Sequence, residues 1–369
     1  MNDIATKTCH CGLDPQPISG KQTHNGRDGV PGRSGTRRWV PGQARHDRLG
    51  SLLRRAVLVA LAAAAPLAAL ANDKVRIGVF PSSSALPFYI AQERGYFKEA
   101  GIDAEAVVFN AHPLTVQAIV SGDVQGAANL VTLEGANINQ RRPGTLTYIS
   151  LNGQNAQYIT EQFIVKAGSS AKSLADLKGA KILSAPGPAN LGAAKAVLKA
   201  VGLQEGKDYT IQEQQMGVHI GALQAGTFDA GYTLEPIASV AIKQGVARRL
   251  EAGVISTYLL GRKDALAFAA GGALSGDFVS KNPQVAARYA AAWAKAVKDY
   301  EADPKVRELL PKYMNTSAEI APTVPLARIV MVKDLKAGEV GDFQKFVDIG
   351  VQQGVVKGAV DVKTFVKAM

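Results

Sequence analysis

Val75-Arg76-Ile77-Gly78-Val79-Phe80-Pro81-Ser82-Ser83-Ser84-Ala85-Leu86-Pro87-Phe88-Tyr89-Ile90-Ala91-Gln92-Glu93-Arg94-Gly95 sets a short apolar run, a serine-rich loop and a helical stretch end to end. Residues 75–80 read as a strand. Residues 87–94 read as a helix, because Pro87 suits a first turn, where its missing N–H costs nothing, and Gly95 suits the stop. The same order recurs downstream. A strand at 104–109 leads through Asn110-Ala111-His112-Pro113 into a helix at 114–121. A strand at 127–131 leads into a helix at 133–139, and 145–151 makes a fourth strand. Short strands alternating with longer helices imply a parallel sheet covered by helices on both faces.

A second copy of this pattern starts near Ser173. A short capped helix at 173–179 feeds a strand at 181–184, and the loop Ala185-Pro186-Gly187-Pro188-Ala189-Asn190 opens a helix at 191–201. A strand at 209–212, a helix at 220–225, a strand at 230–232 and a helix at 236–244 complete it. Two similar α/β lobes are therefore written in tandem, each expected to be a mainly parallel sheet with flanking helices. The C-terminal third differs: 282–300 reads as one long Ala-rich helix and 317–369 as several shorter ones. The apolar, Gly-rich stretch 266–273 reads as a strand returning to the first lobe. The expected division is 72–162 plus 266–369 for the first lobe and 163–265 for the second, with 158–165 and 266–273 as the crossings.

The chain has 369 residues, 47% of them hydrophobic and 20% charged, the profile of a globular protein and not of a disordered chain or a membrane bundle. Its net charge is +11, but residues 1–55 hold ten lysines and arginines against four aspartates. That leaves an excess too mild for a nucleic-acid groove, tilted toward anionic small molecules. Arg54-Arg55 precede sixteen uncharged residues, 56–71, which end in Ala69-Leu70-Ala71. Basic region, apolar region and small-x-small site form a signal peptide, with the cut expected after Ala71. Pro66 breaks the run too early for a membrane span. The product is expected in the periplasm, free in solution. Both cysteines, Cys9 and Cys11, lie in the leader, so the remainder has no thiol for a nucleophile, zinc site, cluster or disulfide.

Pro87-Phe88-Tyr89-Ile90-Ala91-Gln92-Glu93-Arg94-Gly95-Tyr96-Phe97 resembles the opening helix of periplasmic solute-binding proteins of the nitrate, sulfonate, taurine and thiamine-pyrimidine type, which serve ABC importers. Ala118-Ile119-Val120-Ser121-Gly122-Asp123-Val124, the segment from Ser173 to Gly179, Ala222-Leu223-Gln224-Ala225-Gly226-Thr227-Phe228-Asp229-Ala230 and Glu235-Pro236 follow in the family's order, across 75–300. The resemblance implies a two-lobed, type II-like periplasmic-binding-protein fold, a small-molecule ligand between the lobes and a membrane permease as partner. Two departures stop the ligand from transferring with it: Leu234 stands where the family often has Trp, and Ser82-Ser83-Ser84 where an aromatic residue or Gln is common.

In such a fold the ligand lies outside the carboxyl ends of the strands, where helix N-termini point free N–H groups inward. The candidates are therefore the strand-to-helix loops. Ser82, Ser83 and Ser84 either bind or cap their own helix. Asn110, His112, Asn129 and Thr132 either bind or close their own turns. From the second lobe, Gly187 and Asn190 let backbone approach a ligand ahead of a helix, or Asn190 serves as a plain cap. Gln215 and His219 follow a strand, Tyr232 and Glu235 end one, and Glu235 either meets an amine or caps the helix after Pro236. Two histidines, His112 and His219, on separate lobes are too few for a metal site, and neither metal nor cofactor is expected. The function expected is binding without catalysis, in a monomer that contacts no nucleic acid and passes its guest to the permease. The alternative is an enzyme on the same fold resembling pyrimidine-precursor synthase, whose cysteine-rich motif residues 72–369 lack.

Overall fold

The computed structural model describes residues 72–366, and the leader, its cysteines, the apolar run 56–71 and the cut after Ala71 lie outside them. Strands β1 (Asp73–Val79), β2 (Ile102–Val108) and β3 (Gly126–Val131) form a parallel core with β1 in the middle. Ile77 sits opposite Ala106 on one side and Gly126 on the other. Parallel neighbours need crossover connections, and the helices Leu86–Glu93 and His112–Ser121 supply them. β3 is buried at every residue, as a strand covered on both faces must be.

In the rest of this sheet β11 and β12 run against the other strands. β4 (Leu146–Tyr148), β5 (Ser150–Gln154), β11 (Ala267–Ser275) and β12 (Arg328–Met331) complete it, in the order β12-β5-β11-β3-β1-β2 with β4 beside β11. β11 pairs antiparallel with β3, β4 and β5, and β12 antiparallel with β5. The second sheet has the order β10-β6-β9-β7-β8, built from β6 (Glu161–Lys166), β7 (Lys181–Ser184), β8 (Thr210–Glu213), β9 (Ala230–Leu234) and β10 (Ala247–Ala252). There β7 is parallel to β8 and β9, while β6 is antiparallel to β9 and β10.

The two-lobed α/β architecture is therefore present, but its sheets are mixed and not mainly parallel. The physical reason is the path of the chain. Strands joined inside one lobe by a helix must be parallel, whereas β6 and β11 enter their sheets from the other lobe and carry no such restriction. The stretch 266–273 is largely the returning strand β11, while 158–165, expected as a crossing, is largely β6; the links between sheets are the segments 155–160 and 253–266. The single strand expected at 145–151 divides around Ile149 into β4 and β5, and the tail holds the strand β12 among its helices.

Helix Pro283–Ala302 covers the first sheet with Tyr289, Trp293, Val297 and Tyr300 buried beneath it. The Trp293 Nε1–H donates to Ser150 Oγ at 3.0 Å, so its one polar atom is satisfied in the core. C-terminal helix Ala337–Gln352 packs on the first lobe through Phe343 and Phe346. It also braces the link 253–266: Arg262 donates to both Asp342 oxygens at 2.8 Å.

Candidate functional site

The ends of β1, β3 and β5 meet the ends of β6, β7 and β9 at the junction of the lobes. A narrow cavity of about 20 Å³ lies there, lined by Ser82, Ser84, His112, Asn129, Asn152, Gln154, Thr160, Glu161, Asn190 and apolar side chains. Both lobes contribute. On the first, Asn129 at the end of β3 organises the serine loop. Its Oδ1 accepts the Phe80 N–H at 3.0 Å, while its Nδ2 donates to Phe80 O at 3.0 Å and to Ser82 and Ser84 Oγ at 3.1 Å each. The two serine hydroxyls are 2.8 Å apart. His112 begins its helix with its ring stacked on Phe80, centroids 4.2 Å apart. Burial pushes the imidazole down to about 3, so the ring is neutral at any physiological pH, with one N–H donor and one acceptor nitrogen.

The second lobe closes against this loop directly. Ser83 N–H donates across the junction to Glu235 O at 3.0 Å. Phe80 packs into a small apolar cluster with Ala185, Met216 and Leu234. Gly187 takes φ 103°, a left-handed torsion that a side chain resists, and a Cβ there would stand 3.5 Å from Glu134 Oε1 of the first lobe. Asn190 lines the cavity and donates its Nδ2 to Pro186 O at 2.7 Å. It therefore both fixes its own turn and faces the cavity.

The expected residues do not all converge. Ser82, Ser84, His112, Asn129 and Asn190 line the cavity, with Ser83 and Gly187 forming the loops behind them. Asn110 and Gln215 are exposed on the surface away from it. Thr132 spends its hydroxyl on Phe268 O at 2.7 Å, inside the first lobe. Glu235 accepts from Gln162 Nε2 at 2.6 Å and from Ser239 N–H at 3.1 Å, which is the capping role. Tyr232 lies one shell back, its hydroxyl donating to Glu161 and so orienting that carboxylate toward the cavity.

His219 is fully buried in the second lobe, one ring nitrogen 2.8 Å from Thr233 Oγ1 and the other 3.0 Å from Gln214 O. Burial holds it down to about 4 against a reference of 6.5, so the unfolded chain takes up this proton first. Stability from this residue is present above pH 6.5 and is lost as pH falls toward 4. His219→Asn is expected to flatten the pH dependence of the unfolding free energy in that window by up to about 1.4 kcal/mol per pH unit. Parallel wild-type and variant curves in urea unfolding would contradict the assignment.

Asn152, Gln154, Thr160, Glu161 and Glu134 are the residues that sequence reasoning missed. Asn152 and Gln154 stand two apart on β5, so both side chains leave the same face. All five residues of that strand, Ser-Leu-Asn-Gly-Gln, are buried. Uncharged polar residues at alternate positions of a buried strand were the available signal. Many of these polar atoms have no partner: His112 Nδ1, both amide atoms of Asn152, Gln154 Nε2, Thr160 Oγ1 and both Glu134 oxygens. Buried polar groups are normally paired, so such a concentration of unpaired atoms around one cavity sets it apart from the rest of the interior. Burial, helped by the Glu161 and Glu213 charges, pushes the Glu134 carboxyl up to about 7. Burial likewise raises Glu161, with the Tyr232 hydroxyl opposing it.

Fold and cavity together define a two-lobed α/β protein with a polar cavity between its lobes. Residues 82–306 match the family described as NMT1/THI5 like, which covers more than half of the chain, and the chain belongs to that family. Among solved structures it is similar to the periplasmic aliphatic sulphonate binding protein SsuA from Escherichia coli, with a TM-score of 0.61 and 19% identity over 80% of this chain and 97% of that one. It is similar to the periplasmic nitrate-binding protein NrtA from Synechocystis PCC 6803, with a TM-score of 0.62 and 15% identity over 79% and 84% of the two chains. The desulfurization enzyme DSZB shares the fold too, with a TM-score of 0.57 and 15% identity over 80% and 97%. No curated protein sequence matches the chain.

Proposed function

We propose that this chain is the extracytoplasmic solute-binding component of an ABC importer: a periplasmic monomer, released by cleavage after Ala71, that closes on a small polar molecule and presents it to a membrane permease. One observation carries the reading. A cavity at the junction of two lobes is lined from both sides by buried polar side chains, and on the first lobe and the link 155–160 many of their atoms are left unpaired. The periplasmic sulphonate- and nitrate-binding proteins of the same fold support it. The second lobe is assigned from the start of β6 at Glu161 through the link 253–266, the first lobe is the remainder of 72–369, and 155–160 and 253–266 are the segments whose torsions change. A ligand touching both lobes stabilises the arrangement in which both sets of contacts exist, and this difference in affinity is what a permease reads.

The enzyme reading rests on fold likeness to the desulfurization enzyme alone, and function does not follow fold. Residues 72–369 offer no cysteine nucleophile, and His112 is held neutral within its stack on Phe80. The test is to unfold the purified protein, identify by mass spectrometry the small molecule it releases, and add that molecule back. At a hundredfold excess over its dissociation constant it is expected to raise the unfolding free energy by about 2.7 kcal/mol and to be recovered unchanged. Recovery of a converted product would overturn binding without catalysis.

A further inference from the structure

The loop Gly187–Asn190 is where helix N–H groups offer themselves to an anion, yet the protein's own carboxylates already face them. Gly187 N–H donates to Glu213 Oε2 at 3.2 Å, and the Glu134 carboxylate of the opposite lobe stands against the same loop. The positive end of this helix is thereby answered from within. The cavity wall itself carries one carboxylate, Glu161, and no lysine or arginine. The chain's positive charge does not reach the site.

Glu134 and Glu161 come from different lobes, both are buried, and each raises the energy of the other's ionised form. An anion entering here would meet carboxyl groups from both lobes and oppose their ionisation, and it would find the Gly187 N–H occupied. A cation would relieve both carboxylates, and a buried unpaired carboxylate is costly enough for that relief to dominate. The remaining unpartnered groups fix the shape of the request. Asn152 Oδ1 is an open acceptor for N–H, and Asn152 Nδ2 and Gln154 Nε2 are open donors for one acceptor on the guest.

Resting on the receptor reading above, we propose that the guest is a small organic nitrogen cation, an amine, amidine or guanidine, whose N–H groups are received by Glu161 and Asn152, with Glu134 supplying the second negative charge from behind the Gly187 loop. Cation recognition also explains why the site is divided between lobes. Glu134 stands on the first lobe and Glu161 on the second, and only a guest between them balances both.

The test uses the full chain, stripped of small molecules by unfolding and refolding, and titrated calorimetrically with three probe sets. Agmatine and benzamidine are the cations, nitrate and ethanesulfonate the anions, and acetamide the neutral control. The cations are expected to bind and the anions not. Glu161→Gln and Glu134→Gln are each expected to weaken cation binding at least tenfold. Asn152→Asp, which keeps the shape and adds an acceptor charge, is expected to hold or strengthen cation binding even if the glutamate variants fold poorly. Nitrate or ethanesulfonate binding that survives or tightens in Glu161→Gln would overturn the cation assignment and leave the receptor reading standing. A chain that binds no probe and releases no small molecule on unfolding would overturn both.

Discussion

Replacing Asn129 by alanine is expected to lower the unfolding free energy by about 2–4 kcal/mol and to abolish measurable ligand binding, the largest loss of any single polar substitution at the site. The side chain ties both backbone groups of Phe80 and two serine hydroxyls to the end of β3. Phe80 and Asn129 are both buried, so water cannot take over the abandoned N–H and C=O, and the cost is that of orphaned groups, not of an exchanged hydrogen bond. The loop carrying Ser82 and Ser84 then loses its anchor, and Phe80, which is the first lobe's contact with Ala185, Met216 and Leu234, loses its position with it. Asn110→Ala is the matched control, an exposed loop asparagine away from the cavity, expected to change stability by less than about 0.5 kcal/mol and to leave binding intact. Urea unfolding and ligand titration of the two variants side by side check this. Equal behaviour of Asn110→Ala and Asn129→Ala would contradict the assigned role.

The architecture was legible because its determinants are local. The run 75–95 states strand, loop and helix through proline, glycine and apolar spacing, and β1, the serine loop and the helix Leu86–Glu93 stand where those residues place them. Half of the cavity was legible for the same reason. Serines, Asn129, His112 and Asn190 sit at strand ends ahead of helices, and local order alone sends such positions to the cleft. What escaped depends on pairing between distant segments. Nothing local in residues 161–166 distinguishes a strand from a crossing, since the strand exists through its partners Ala230–Leu234 and Ala247–Ala252. Asn152 and Gln154 face the cavity only because β11 and β12 flank β5 and fix which face turns inward. Glu134 reads as an ordinary first-turn acid of its helix, and only the approach of Gly187 from the other lobe isolates it. His219 and Glu235 show the converse. Their residue types suggested ligands, and the fold spends them on Thr233, Gln214, Gln162 and Ser239.

A guest that moves the lobes must bind one arrangement far better than the other. Shifting a population from 1:99 to 99:1 takes roughly a 10⁴-fold difference in affinity. The direct contacts between lobes around the cavity are modest: one backbone hydrogen bond from Ser83 to Glu235, the Phe80 cluster, and Glu134 set against the Gly187 loop. Working against them are the unpaired atoms of Asn152, Gln154 and Thr160 and the buried carboxylates, which favour opening to water when no guest is present. On the receptor reading proposed above, a guest supplies the missing partners and shifts the balance toward closure.

Spin labels at Leu114 and Val218, exposed positions on the first and second lobes, read this balance directly once Cys9 and Cys11 have been replaced by serine. Pulsed electron resonance on the stripped protein is expected to give a longer or two-component distance distribution, which collapses to a single shorter one when the molecule released by the native protein is returned. Identical distributions with and without that molecule, under conditions where calorimetry shows it bound, would contradict the account.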